Sequence, residues 1–313
     1  MSAKFAFVFP GQGSQAVGML DAWGDHPEVV RTLAEASAAL GEDIGAVIKN
    51  GPKEQLDLTT NTQPVMLTAG IACYRAWIAE TGLVPAAAAG HSLGEYTALV
   101  AAGALSLADA LPLVRFRAQA MQEAVPVGAG AMYAILGLDG EAVREGCAKA
   151  ATESGEVIEA VNFNDPKQTV IAGSKAGAEK AAEVLKAMGA KRALPLPVSA
   201  PFHSSLMKPA ADKLKDKLAA TNFGALQFPV INNIDVATVD SADALRDALY
   251  RQAFGPVRWV EVVQALKARG LTHIIECGPG KVLAGMAKRI DAELQSTTVL
   301  DPASLAEAKA LLG

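Results

Sequence analysis

The 313-residue sequence predicts an α/β fold, a body built on a mainly parallel sheet and interrupted by a smaller inserted unit. Short apolar runs alternate with helix-length segments from Lys4 onward, and near the middle of the chain this alternation gives way to a different order of elements. A hydrophobic content of 51% with 28 glycines describes a compact chain and excludes intrinsic disorder, because such a chain buries enough apolar surface to offset its ordering entropy.

Lys4 to Pro10 is a short β-like run stopped by Pro-Gly and reads as a buried first strand. Pro27 to Leu40 has helical apolar spacing and stops at Gly41. Thr62 to Ala79 also reads as a helix, with Pro64 near its start and Gly82 beyond its end. Pro85 to Ala89 is a small-residue run leading into GHSLGEY and helix-forming residues to Ala102. Leu107 to Glu123 is a further helix, closed by Pro126. Then GAMYAILGL reads as a strand, Asp139 to Ser154 as a helix, VIEAVNFN and TVIAGS as strands, Ser174 to Met188 as a helix and AKRALPLPV as a strand. The order β-α-β-β-α-β is that of a ferredoxin-like unit. It is expected over residues 127–197, with residues 1–126 and 198–313 forming the body. After Pro201 two helical stretches are expected, then THIIECGPGK as a strand and turn, then a C-terminal helix.

Lys and Arg number 28 against 33 Asp and Glu, a net charge of −5, and no five like charges adjoin, so a nucleic-acid footprint is excluded. The apolar run Phe5 to Phe9 is too short for a signal segment, and Pro85 to Val114 is broken by His91, Glu95 and Asp109, so no membrane span is expected. Cys73, Cys147 and Cys277 are odd in number and far apart, which fits a reducing compartment and neither a disulfide framework nor a zinc site. A cytoplasmic protein is expected.

The sharpest chemical feature is Gly90-His91-Ser92-Leu93-Gly94, a G-x-S-x-G between strand and helix. In such an elbow small residues flank the serine, which projects clear of the sheet, so the body is expected to be α/β-hydrolase-like. The Leu93 N–H then faces a reacting carbonyl at a helix N-terminus. Alone, the pattern also fits a Gly-rich turn carrying a solvated serine.

Of the four histidines, His26 reads as a helix-entry residue, His91 as a support of the elbow and His273 as part of a strand. His203, in Ser199-Ala200-Pro201-Phe202-His203-Ser204, is the best-placed general base. No acid is an obvious third member. Asp165 falls in the inserted unit, and an amide or a backbone carbonyl could orient the imidazole instead. Gly11-Gln12-Gly13-Ser14-Gln15-Ala16 matches a dinucleotide fingerprint but lacks the second strand that one requires. Its better use is the Gln12 N–H as a second oxyanion donor. Gly278-Pro279-Gly280-Lys281 lacks phosphate-loop spacing and reads as a structural turn. Arg115 and Arg117 sit two apart on one helix, so at most one faces inward, either as a snorkelling cation or as a clamp on a substrate carboxylate.

GQGSQ, NTQP, GHSLGEY, the MQEAVP after Arg117, VNFN, PFHS and GPGK stand in one chain and in one order. Together they resemble the malonyl-CoA:acyl carrier protein transacylases of bacterial type II fatty-acid synthesis, over the chain from Phe5 to about Ile290. The acyltransferase domains of polyketide synthases share most of these motifs. The resemblance implies Ser92 as the nucleophile that becomes malonylated, His203 as its base, Gln252 as the residue orienting that base through a carbonyl, and Gln12 and Leu93 as oxyanion donors. It further implies Arg117 as partner of the malonyl carboxylate, with Gln63, Asn162 and Asn164 lining the pocket and Phe202 crowding an α-methyl branch. Arg115 receives no role. The implied reaction is ping-pong transfer from malonyl-CoA to the phosphopantetheine thiol of acyl carrier protein, with no metal or other cofactor. The alternatives are an acyltransferase serving a polyketide carrier, a serine thioesterase, or an acyl-binding protein with a vestigial site. An acidic carrier would need a basic surface, for which Lys191, Arg192, Lys281, Lys288 and Arg289 are candidates.

Overall fold

The computed structural model describes residues 4–198 and 200–313. Among these, nine strands are present: β1 (Phe5–Phe9), β2 (Ala87–Gly90), β3 (Gly130–Leu136), β4 (Ile158–Asp165), β5 (Gln168–Ser174), β6 (Arg192–Pro195), β7 (Val230–Ile231), β8 (His273–Cys277) and β9 (Gln295–Val299). The larger sheet runs β7-β2-β1-β8-β9 with every pairing parallel. From β1 the chain winds first to one side and then to the other. The loops at the carboxyl ends of β1, β2 and β8 therefore converge, which is where open α/β sheets form their crevices.

The central strands are apolar without alternation because both faces are covered. On β1, Phe5, Phe7 and Phe9 enter one core with Trp77 and the buried helix Thr59–Thr81, whereas Ala6 and Val8 enter the other with Ile274, Trp259 and Val263. The period of two along the strand sets this division. No helix among the described residues is long and apolar enough to cross a membrane.

The second sheet is antiparallel, in the order β4-β5-β3-β6, with helices Gly140–Ser154 and Lys175–Ala187 between its strands. That spatial order and chain order are those of the expected ferredoxin-like unit. Backbone bonds join it to the body: the Phe163 N–H donates to Val257 O at 2.9 Å, and the Val257 N–H to Val161 O at 2.8 Å.

Two parts of the sequence reading need correction. The chain does not end with the helix after GPGK: Val282–Ile290 is followed by β9 and the helix Pro302–Leu312. Between Pro201 and β8 there are three α-helices rather than two, Lys208–Ala220, Ala242–Gln252 and Trp259–Ala268, together with β7. β9 (QSTTV) is a half-exposed edge strand and β7 is two residues long, so neither carries an apolar run to mark it. The short helices Ile44–Asn50 and Lys53–Asp57 escape for the same reason, being too brief to show a period.

Candidate active site

Ser92 follows β2 and stands at the N-cap of helix Leu93–Ala101 with φ +52°. This positive φ is uncommon for a residue with a Cβ and is the strained turn of a nucleophile elbow. The two glycines are dictated by contact. A Cβ on Gly90 would lie 1.9 Å from the Gly94 carbonyl carbon and oxygen, and one on Gly94 would lie 2.1 Å from Phe9 O. The helix therefore approaches β1 and β2 backbone to backbone, which is what lifts Ser92 over the sheet edge.

His203 also has a positive φ, +66°. Its Nδ1 lies 2.9 Å from the main-chain carbonyl of Gln252, and its Nε2 lies 2.7 Å from Ser92 Oγ. A carbonyl only accepts, so Nδ1 carries the proton and Nε2 presents its lone pair to the serine. The orienting partner is thus a backbone carbonyl and no triad acid is needed. Burial, with the nearby charge of Arg117, pushes the His203 pKa down to about 3, so the neutral form persists at ordinary pH. Asp165, in the inserted unit, is engaged elsewhere, with Arg289 at 2.7 Å.

Arg117 is the inward-facing member of the helical pair and is 1% exposed. It donates from Nη1 to Gln63 Oε1 at 2.9 Å, and from Nη2 to Gln252 Oε1 at 3.0 Å and Ser92 Oγ at 3.2 Å. The guanidinium also lies 5.4 Å from the centroid of the Tyr96 ring. Its Nε has no partner, and no carboxylate comes within ion-pair distance of it among the described residues. Burial works against its charge. A desolvated cation held on neutral acceptors is costly until an anion joins it. Arg115, by contrast, faces outward and pairs with Glu42.

Ser92, His203, Arg117, Gln12, Leu93, Gln63, Asn162 and Phe202 line one cavity of about 130 Å³, closed further by Met121, Met132, Leu196 and Val198. Among the described residues, the main-chain amides of Gln12 and Leu93 donate to no protein acceptor, which leaves both available to an oxyanion. Asn164 is displaced from the expected position. Its Oδ1 accepts from His91 Nε2 at 2.8 Å, and it lines an adjoining cavity that shares Gln12, His91 and Asn162. Gln252 also lies outside the cavity wall and acts from behind. The His91 ring lies 5.5 Å from that of Trp259. Ser199, which opens the segment carrying His203, lies outside the described residues.

Sequence reasoning missed Asn233 altogether. Its Oδ1 accepts from the Ser92 N–H at 2.8 Å, and its Nδ2 donates to Gly90 O at 2.7 Å. No spacing in INNIDV links it to the elbow 141 positions earlier. Glu95 was visible within GHSLGEY but read only as a helix former. It is 2% exposed and accepts from the Asn233 N–H and from Gln252 Nε2.

A serine primed by a neutral imidazole, with two free amides and a buried cation beside it, defines an acyl-transfer site on an open α/β sheet. The chain belongs to the acyl transferase family, whose domain model matches residues 6–301. It is 53% identical over 306 residues to the malonyl CoA-acyl carrier protein transacylase of Escherichia coli, covering 97% of this chain and 98% of that one. The Bacillus subtilis protein of the same name is 46% identical over 304 residues, covering 97% and 95%. Among solved structures, an acyl-carrier-protein S-malonyltransferase from Burkholderia pseudomallei superposes with a TM-score of 0.96 at 66% identity, covering 97% of this chain and 99% of that one. A malonyl-transacylase in complex with its type II PKS acyl-carrier protein superposes at 0.95 with 50% identity, covering 98% and 99%.

Proposed function

We propose that this chain transfers malonyl groups from malonyl-CoA to the phosphopantetheine thiol of acyl carrier protein in fatty-acid biosynthesis, through a malonyl-serine at Ser92. The observation that carries this is the buried Arg117, 3.2 Å from the serine oxygen and lacking a carboxylate partner. It is a receptor for an acyl group that ends in an anion. The relatives named malonyl CoA-acyl carrier protein transacylase support the same substrate pair.

In the first half-reaction Ser92 Oγ attacks the thioester carbonyl while His203 Nε2 takes its proton. The carbonyl oxygen becomes an oxyanion facing the Gln12 and Leu93 amides, each worth about 3–4 kcal/mol at the barrier by comparison with other acyl transfers. The C–S bond to CoA breaks and the proton passes from His203 to the departing thiolate. In the second half-reaction the carrier thiol gives its proton to His203 and attacks the malonyl-serine carbonyl; the C–O bond to Ser92 breaks and His203 returns the proton to Ser92 Oγ. Bonds and protons balance without oxidation or reduction, so we read the reaction as requiring no redox cofactor, and we assign stabilisation of the oxyanion to the two amides rather than to a metal. We also place the enzyme in the cytoplasm, in keeping with three free buried cysteines.

Transfer is tested with purified protein, malonyl-CoA and holo carrier. Parallel double-reciprocal lines and malonyl-carrier formation well above malonyl-CoA hydrolysis are expected. Steady CoA release indifferent to carrier would identify a thioesterase instead. The neighbour bound to a type II PKS carrier favours one second reading, service to a polyketide carrier, which a comparison of kcat/KM for the two carriers decides.

A further inference from the structure

Behind the elbow lies a polar cluster, none of whose members lines the cavity: Glu95, Asn233 and Gln252. We propose that Glu95 is a positioning residue for the transfer, its carboxylate setting the orientation of the Gln252 amide and, through it, the placement of Arg117 and of the Ser92 main chain. This rests on the reading above that Arg117 receives the carboxylate of the acyl group.

A side-chain amide has a donor end and an acceptor end of nearly equal shape, so its partners alone decide which way it points. The Gln252 Nε2 donates to Ser92 O at 3.0 Å and to Glu95 Oε2 at 3.0 Å, which leaves Oε1 to accept from Arg117 Nη2 at 3.0 Å. Turned over, the amide would set N–H against guanidinium and oxygen against both carboxylate and carbonyl. Above pH 7, where Glu95 is ionised, its carboxylate enforces this choice far more strongly than the Ser92 carbonyl does by itself. The same Oε2 accepts from the Asn233 N–H at 2.9 Å, and Asn233 in turn holds the Ser92 N–H and Gly90 O. One buried oxygen thus governs the partners of both the N–H and the C=O of a residue whose φ is +52°.

Burial pushes the Glu95 pKa up to about 7, opposed by its bonds from Gln252 and Asn233 and by the charge of Arg117. The other charged group acting on it is Asp235, which is held by Arg251 at 2.7 Å. A buried acid that touches no substrate and forms no ion pair would be cheaper as an apolar residue unless its orienting role is used.

The test is Glu95→Gln, close in shape and lacking the charge, assayed at pH 8 as the rate of acyl-enzyme formation from malonyl-CoA and from acetyl-CoA, beside Gln252→Ala and the double variant. Acetyl has no carboxylate for Arg117 to meet. The malonyl/acetyl ratio is expected to fall roughly tenfold in Glu95→Gln and in Gln252→Ala, with no further fall when the two are combined. Equal losses on both acyl groups, or losses that multiply in the double variant, would overturn the proposal. If Glu95→Gln does not fold, an unchanged ratio in Gln252→Ala overturns it alone. A wild-type protein that takes no malonyl group would contradict the functional reading instead, which separates the two failures.

Discussion

Ser92, His203 and Arg117 each accept an unfavourable local state that makes sense only in the presence of the others. Ser92 and His203 sit at positive φ, and conformations of this kind cost on the order of 1–3 kcal/mol each unless the surroundings fix them. For Ser92 the fixing bonds are those to Asn233 and Gln252. Arg117 is buried on neutral oxygens, and on the function proposed here a substrate carboxylate completes its shell. Replacing Arg117 with Ala should reduce the malonyl/acetyl ratio of kcat/KM by about 100-fold or more, as expected when one partner of a buried pair worth about 3–5 kcal/mol is removed. Equal ratios in variant and wild type would contradict this.

The His203 pKa carries a pH prediction. Burial disfavours the imidazolium, so the folded protein keeps the base neutral down to about 3, where the unfolded chain would protonate it near 6.5. In the Glu95→Gln variant, which removes the other titrating group behind the serine, acylation by acetyl-CoA should therefore stay flat from pH 8 to pH 5; a falling limb centred near 6.5 would refute a neutral buried base. By the same linkage, this group's contribution to stability is lost as pH drops below 6.5 toward 3, because the unfolded state binds the proton first.

At the scale of elements, the elbow depends on close backbone approach as much as on the serine. Gly94→Ala would force a Cβ to 2.1 Å from Phe9 O, so helix Leu93–Ala101 must move off β1. The loss should reach or exceed the upper end of the usual overpacking range, about 1–3 kcal/mol, measured by denaturant unfolding, with transfer lost as well. Unfolding at the wild-type midpoint would mean that the packing gives way more easily than described. This element was legible in advance because G-x-S-x-G has one geometric reason to exist. The ferredoxin-like unit was legible too, since its strands and helices alternate with long, clear periods. β7 and β9 were not, because one is two residues long and the other is a half-exposed edge strand without an apolar run, and the helices Ile44–Asn50 and Lys53–Asp57 are too brief to show a helical period. Asn233 was hidden for a different reason: its partners lie in another stretch of the chain, and only the fold brings them together.

At the scale of the molecule, two sheets meet so that the body supplies Ser92, His203 and Arg117 while the antiparallel sheet supplies Met132 and Asn162 to the same cavity. The adjoining cavity continues between Asn164 and Gln168 on one side and Val282 and Met286 on the other. Lys191, Arg192, Lys281 and Lys288 are exposed, and Lys281 directly precedes the Val282 that lines this cavity, whereas Arg289 is tied to Asp165. Reversing the charge of Lys281 and Lys288 should raise KM for an acidic carrier, with a salt-dependent effect, while leaving acylation by malonyl-CoA unchanged. An unchanged carrier KM would exclude this face as the docking surface.

The central claim is that Ser92 carries the malonyl group between two thiols, and intact-protein mass spectrometry tests it most directly. Mixed with malonyl-CoA, the wild type should gain one malonyl group, the Ser92→Ala variant none, and holo carrier protein should remove the adduct. An adduct on the Ser92→Ala variant, or one on the wild type that carrier cannot discharge, would contradict the account.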